Sequence, residues 1–356
     1  MMDLNKIFPL KLRSARRILG LTQKELAVSS GVSHHSIGKY EKGVRLPSSG
    51  AMMDLAKALK VEVGYFFSES HYPIEDIEVE YREGFKIGTT DEGFLKLEAQ
   101  KFLEKYISIE ELSESRKDFE NPLTHRVVIN TSEAEQSAIE LRKKLKLGDS
   151  PIHNLTDFLD RIGIKVLMLD YGDNFEGFSA WIGKVPLIVV NPSGKVVPRL
   201  RFTLAHELAH LVLTIPKGIQ GKDREAICDA FAGAFLMPKS VLIDRIGRNR
   251  KTISLEELRA LQESYGISKQ SLGLRLVHCK IIGWNDYHEL LQVEDFGNYS
   301  KKEESARYFQ LLYKLILEET VDREQAQYLS NVSPQDFETR LKQAETIKIT
   351  VDGNLD

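Results

Sequence analysis

The sequence predicts a mainly α chain with a small β-sheet, an α+β fold in three parts. A five-helix N-terminal unit containing a helix-turn-helix comes first. A unit with a short sheet and a His-Glu helix follows, and then a helical C-terminal region. Three observations predict this. Capping residues and glycines cut the first 67 residues into short helices. Only three short apolar segments, all between residues 164 and 190, read as strands. Helical spacing of apolar residues accounts for most of the remainder. There is no internal repeat and no low-complexity tract.

In the N-terminal unit, Leu10–Leu19 reads as a helix ended by Gly20. Thr22 caps the next helix, with Glu25 three residues on completing a capping box. Gly31 makes a tight turn, and Ser33 caps a third helix that stops at Lys42-Gly43. Met52–Leu59 and Val63–Phe67 complete the five. Two capped helices around a Gly-centred turn have helix-turn-helix spacing. Leu26, Ala27, Val32, Ile37 and Leu55 are the expected core.

An acidic stretch with Gly84, Gly88 and Thr89-Thr90 as breakers comes next. Glu92–Leu112 is an amphipathic connecting arm, with Phe94, Leu97, Phe102, Tyr106 and Ile109 at helical spacing, and Asn121-Pro122 ends it. Helices are expected at Glu133–Leu145 and Leu155–Ile162, and a strand at Ile164–Leu169. Phe178–Ile182 and Val185–Val190 flank Gly183-Lys184 as a hairpin. Val185–Val190 is either an edge that pairs with an extended substrate or an interior strand. Pro198 opens the His-Glu helix in its first turn and Pro216 ends it. Further helices are expected at Asp223–Leu236, Ser254–Tyr265, Lys269–Leu276, Glu303–Leu317 and Arg323–Tyr328. The units are therefore drawn at 1–67 (helix-turn-helix), 68–130 (acidic linker and connecting helix), 131–290 (the sheet and the His-Glu helix) and 291–356 (helical tail).

The net charge of −3 hides a division. Residues 1–67 carry eleven Lys/Arg against five Asp/Glu, whereas residues 68–120 carry seven against fifteen. A basic head suits phosphate binding. No apolar run is long enough to span a bilayer, and the N-terminus lacks a signal-peptide core. Two cysteines, Cys228 and Cys279, make no disulfide framework. A cytoplasmic protein without a membrane partner is expected.

His206-Glu207-Leu208-Ala209-His210 carries the most chemistry. Two His at i and i+4 lie on one helix face, so both imidazoles reach one ion. Glu207 between them is placed to take a proton from an attacking water. This is the minimal kit for zinc-dependent peptide hydrolysis. Glu225, fifteen residues after His210, is the favoured third ligand, with Asp223, His278 and His288 as alternatives. Asp229, four residues beyond Glu225, suits the outer N–H of a ligating His. A His/His/Glu set favours Zn2+ over manganese. In the head, the second helix of the motif carries His34, His35, Ser36 and Lys39 toward base edges. Gln23 is expected to touch a phosphate and brace that helix, and Arg13, Arg16, Arg17, Lys42 and Arg45 to add sequence-independent attraction. A helical protein-interaction module is the alternative.

Residues 8–67 resemble the lambda-repressor-like (XRE) helix-turn-helix family. The resemblance rests on Leu21-Thr22-Gln23-Lys24-Glu25-Leu26-Ala27, Gly31-Val32-Ser33, Ile37, Tyr40-Glu41-Lys42-Gly43, Arg45-x-Pro47, Leu55-Ala56 and Leu59. Residues 134–283 resemble the ImmA/IrrE metallopeptidase family. Here the matching segments include Leu141-Arg142, Gly163-Ile164-Lys165-Val166, Gly177-Phe178-Ser179, Val189-Val190-Asn191 and Arg201-Phe202-Thr203-Leu204-Ala205 before the His-Glu motif. They continue with Glu225-x-x-Cys228-Asp229-x-Phe231-Ala232-x-x-Phe235-Leu236-Met237-Pro238 and Tyr265-Gly266-Ile267-Ser268. The family often has Gly for Ala209, Ala for Cys228 and Asn for Asp229, and none of these changes removes a ligand.

The second resemblance implies zinc on His206, His210 and Glu225, with Glu207 as general base. It also implies a site-specific endopeptidase that inactivates a lambda-repressor-like regulator under stress. Together the resemblances imply a regulator that binds double-stranded operator DNA as a homodimer and cleaves a repressor or antitoxin-like protein. The competing expectation is a zinc-containing transcription factor, or an antitoxin, whose peptidase-like domain senses or docks without turnover. Self-cleavage in the arm is left open.

Overall fold

The computed structural model of the chain describes residues 4–19, 21–67, 78–81, 89–171, 175–247, 252–294, 299 and 301–344. The head consists of α1 (Leu4–Ile18), α2 (Gln23–Ser30), α3 (His34–Glu41), α4 (Ser49–Ala58) and a 3-10 turn, Val63–Phe67. α1 begins well before Leu10 and runs through Pro9. As the sixth residue of the helix, Pro9 lies past the first turn and gives up the i to i−4 bond that its missing N–H would have made. The expected stop at Gly20 lies outside the described residues.

The local signals after it hold. The Thr22 hydroxyl accepts from the Glu25 N–H, and the Glu25 carboxylate accepts from the Thr22 N–H. Gly31 sits at φ +71 as the left-handed C-cap of α2, and the Ser33 hydroxyl caps α3. Leu26, Ile37 and Leu55 are fully buried with Phe8, Leu12 and Phe66, while Ala27 and Val32 pack on the rim.

The central elements are β1 (Glu78–Tyr81), α5 (Thr89–Leu112), α6 (Thr131–Lys144), α7 (Leu155–Arg161), β2 (Lys165–Met168), β3 (Gly177–Ile182) and β4 (Val185–Val190). They form a four-stranded sheet in the order β1-β3-β4-β2. β3 and β4 are the expected hairpin, closed at Gly183 with φ +61. β2 runs parallel to β4, and β1 pairs antiparallel with β3.

Two expectations change here. Residues 78–81, read as linker, supply an edge strand, and four residues carry too little pattern to announce one. β4 is interior, with all six residues buried, so it is not an edge that pairs with substrate. Gly84 and Gly88 lie outside the described residues.

The rest is helical: α8 (Val197–Val212), α9 (Gly221–Leu236), α10 (Lys239–Arg245), α11 (Leu255–Tyr265), α12 (Lys269–His278), α13 (Trp284–Gln292), α14 (Arg307–Leu317), α15 (Arg323–Leu329) and α16 (Pro334–Ala344). The sequence pattern does not announce α10, α13 and α16. α10 is a seven-residue helix begun directly on Pro238, and α16 is mostly polar. Glu303, expected as the first helical residue, precedes α14 and is buried outside it.

Three apolar clusters hold these elements. One belongs to the head. A second joins α6 through α13 and contains the inner face of α8 and α9. The third packs α5 against β3, β4 and α14–α16. The helix read as an arm is thus a core element: Leu95, Leu103 and Ile107 are fully buried in the third cluster and Leu97 in the head's. A buried ion pair, Lys11 Nζ to Glu104 at 2.8 Å, ties α5 to α1. Among the described residues, no single helix is long and apolar enough to cross a membrane.

Candidate metal centre and nucleic-acid interface

α8 is held in place along its length. β3 lies beside it, and alternate residues of the strand meet successive turns of the helix. Gly177 approaches Thr203, Ser179 bonds Glu207, and Trp181 Nε1 donates to the Leu211 carbonyl. Two residues of strand span nearly the same length as four of helix, about 6 Å, so the match holds over two turns. A Cβ on Gly177 would stand 2.9 Å from the Val189 carbonyl and 3.1 Å from the Thr203 methyl, so only glycine permits the approach.

Behind α8, the Arg201 guanidinium is buried. It donates to the Gly266, Ile152 and Tyr265 carbonyls and pairs with Glu303 at 2.6 Å. α9 is anchored through its C-terminus, where Arg142 donates to the Phe235 carbonyl and Arg275 to that of Met237.

This scaffold brings His206, His210 and Glu225 together. His206 Nε2 and His210 Nε2 are 3.1 Å apart. The Glu225 carboxylate stands 3.1 Å from the first and 3.7 Å from the second. Ligand atoms around one tetrahedral zinc, at 2.0–2.1 Å bonds, sit about 3.3 Å from each other. Three electron-pair donors facing one point need a proton or a cation among them, and these residues fit a zinc ion.

Asp229 Oδ1 lies 2.7 Å from His206 Nδ1. It accepts from the Nδ1–H and so turns Nε2 toward Glu225. Burial lowers the His206 pKa, but the Asp229 and Glu225 hydrogen bonds and the Glu207 charge outweigh it, and the group is pushed up to about 9.

Cys228 also stands close, forming a tight group with the two histidines. Its sulfur, however, is 3.6 Å from His210 Nδ1, the ring nitrogen away from His206. Burial pushes the thiol pKa up, as do nearby carboxylates. The Glu225 carboxylate, by contrast, faces the Nε2 atoms of both histidines.

Glu207 is fully buried. Its Oε2 accepts from the Ser179 hydroxyl at 2.9 Å, and its Oε1 has no hydrogen-bond partner among the described residues. Burial pushes its pKa up, against the lowering effects of the two histidines and of Ser179. Ser179 was legible only as part of a family segment, since nothing local assigns it a task.

In the head, α3 carries exposed His34 and His35, with Ser36 and Lys39 half-buried on the same helix. Gln23 donates to Glu41 at 2.8 Å, bracing α2 against α3. Arg16 pairs with Glu41 at 2.5 Å and Arg13 donates to the Glu41 carbonyl, so both are engaged inside the head. Arg17, Lys42 and Arg45 are exposed, and Arg45 also reaches the Tyr40 hydroxyl.

The fold and the site define a helix-turn-helix module joined to a domain built around the helix that carries the His-Glu motif. Comparison with known proteins agrees: residues 12–66 match the model of the helix-turn-helix family, and residues 159–277 match that of the IrrE N-terminal-like domain. The chain thus carries an XRE-type head and an IrrE/ImmA-like domain.

Curated relatives match a stretch of about 60 residues of the chain. An HTH-type transcriptional regulator of Sinorhizobium fredii is 37% identical over 60 residues, 17% of this chain and 42% of the relative. A transcriptional regulator in the ATPase CF(0) region of Rhodospirillum rubrum is 44% identical over 59 residues, 17% of this chain and 55% of the relative. The chain spans about half the length of the curated relatives it matches.

Proposed function

We propose that this protein is a DNA-binding transcriptional regulator with a zinc-dependent endopeptidase domain. In this reading it cleaves a repressor or antitoxin-like protein, such as a lambda-repressor-like regulator, in the cytoplasm and thereby derepresses stress or mobile-element genes. Residues 1–67 form the operator-binding domain, expected to act as a homodimer. Residues 131–290 form the peptidase domain, joined through 68–130 and followed by the tail 291–356. One observation carries the reading. The Nε2 atoms of His206 and His210 and the Glu225 carboxylate converge beside a buried Glu207 with one oxygen unpartnered.

A zinc ion held by those three side chains supplies Lewis acidity for the scissile carbonyl and the attacking water. The chain does the rest. The Ser179 hydroxyl pins Oε2 of Glu207 and leaves Oε1 to accept a proton from the attacking water. Burial raises the basicity of Glu207 toward the working pH, where a general base is most effective. The same carboxyl then gives the proton to the leaving amine.

The test compares newly formed protein N-termini in cells expressing wild type or Glu207→Gln, with and without DNA-damaging stress. A single new N-terminus, present only with wild type, supports the reading and names the substrate. Identical profiles under every stress favour a zinc-containing transcription factor that does not turn over.

Two smaller effects are expected. Ser179→Ala should lower kcat by about tenfold, as loss of a hydrogen bond to a charged group implies, at unchanged zinc content. Because the Ser179 bond lowers the Glu207 pKa, its loss raises that pKa. The acid limb of the kcat/KM profile then moves to higher pH, and an unmoved limb refutes the positioning role. In the head, His35→Ala should weaken binding to a selected operator by about 1–3 kcal/mol. Lys42→Ala should reduce the salt slope by about 1. Unchanged binding isotherms for both variants contradict the assignment of α3.

A further inference from the structure

β1 comes from the acidic stretch between the head and the domain that carries the metal-binding residues. It pairs antiparallel with β3 in the register Glu78↔Trp181, Val79↔Ala180, Glu80↔Ser179 and Tyr81↔Phe178. β3 is the strand that lies along α8, and Ser179, the register partner of Glu80, holds Glu207. β4 covers the other side of β3, so β1 occupies the one remaining edge of the strand nearest the candidate general base. An extended peptide that reached Glu207 by adding to this sheet would pair at that edge.

We propose that the outer edge of β3 is the docking edge for an extended substrate peptide and that the chain's own residues 78–81 occupy it, so that substrate enters only by displacing β1. This rests on the peptidase reading of the site. A tethered strand acts at an effective concentration on the order of millimolar. A substrate at micromolar concentration is therefore excluded unless its strand pairs better or β1 is withdrawn. Seven residues separate Tyr81 from α5, and ten separate Phe67 from Glu78. The occupant is thus tied on one side to the head and on the other to a helix buried against both the head and the sheet. An event at the head, such as operator release, has a short covalent route to the edge of β3. The strand itself alternates acidic and apolar residues, Glu-Val-Glu-Tyr, and serves as a template for the peptides the edge accepts.

The test uses the full chain with Val79→Pro and Glu80→Pro together. In an antiparallel ladder, successive N–H groups point alternately toward and away from the partner. Two adjacent prolines therefore remove one inward donor in either phase. A second variant, Val79→Gly with Glu80→Gly, weakens the strand without removing donors and guards against misfolding of the first. Each protein is titrated against a fluorescein-labelled peptide of residues 76–83, read by anisotropy, and zinc-loaded samples are assayed on labelled casein.

The expected result is peptide binding tighter by about tenfold or more in the proline variant, smaller in the glycine variant. Casein cleavage should rise in parallel, and the rise should vanish when Glu207→Gln is added. Equal peptide binding by wild type and both variants overturns the proposal. Tighter peptide binding without Glu207-dependent cleavage of casein upholds strand occupancy and overturns its coupling to cleavage of a general substrate.

Discussion

Glu207→Gln is expected to lower kcat on the identified substrate by about 10²–10⁴-fold, the range for loss of a general acid–base group. Zinc content should stay at the wild-type value, because Glu207 is not among the three converging donors. The amide oxygen of Gln can still accept from Ser179, so the packing around β3 and α8 is preserved. The amide cannot take a proton from water, and the loss therefore reads the proton transfer alone. Metal analysis beside steady-state kinetics makes the distinction. A variant that cleaves within a few-fold of wild type contradicts the role, and one that loses zinc as well contradicts its separation from the ligands.

Glu303→Ala is expected to destabilise the protein by about 3–5 kcal/mol, the cost of breaking a buried ion pair from one side. Both side chains are 1% exposed. Glu303 accepts from the Thr156 N–H through one oxygen and pairs with Arg201 through the other. Its removal leaves the Arg201 charge buried at the back of α8 with carbonyl oxygens and the Tyr299 ring but no counter-charge among the described residues. Against a typical total of about 5–15 kcal/mol, this shifts a denaturation midpoint well beyond error. Glu303→Gln, which keeps the Thr156 acceptor, should lose less. Chemical denaturation monitored by circular dichroism checks the order wild type, Gln, Ala, and equal midpoints refute it. Since Arg201 also seats the helix that carries both histidines, zinc affinity should fall in the same order.

These two residues mark the limits of what the sequence discloses. Glu207 is legible because its task depends on neighbours one and three residues away on a single helix. The same holds for the Thr22–Glu25 box, the Gly31 turn and the Ser33 cap, whose hydrogen bonds close within four residues. Glu225 and Asp229 are legible one step further, since a helix puts i and i+4 on one face. Glu303 is not, because its partners lie 102 and 147 residues away. Local preference alone makes it the start of a helix. Ser179 and β1 fail for the same reason: a hydroxyl 28 residues from its carboxylate leaves no periodic trace, nor does a strand about a hundred residues from its partner. The interior position of β4 likewise depends on β2 and β1 flanking the hairpin. Alternation within the hairpin does not reveal it.

The most direct test of the metal centre is a diffraction measurement across the zinc absorption edge on crystals of the full chain grown with stoichiometric zinc. One anomalous peak bounded by His206 Nε2, His210 Nε2 and the Glu225 carboxylate, with Glu207 Oε1 facing it, is the expected result. A peak bonded to Cys228 Sγ, or one that does not touch both histidines, would contradict the site on which the proposed chemistry rests.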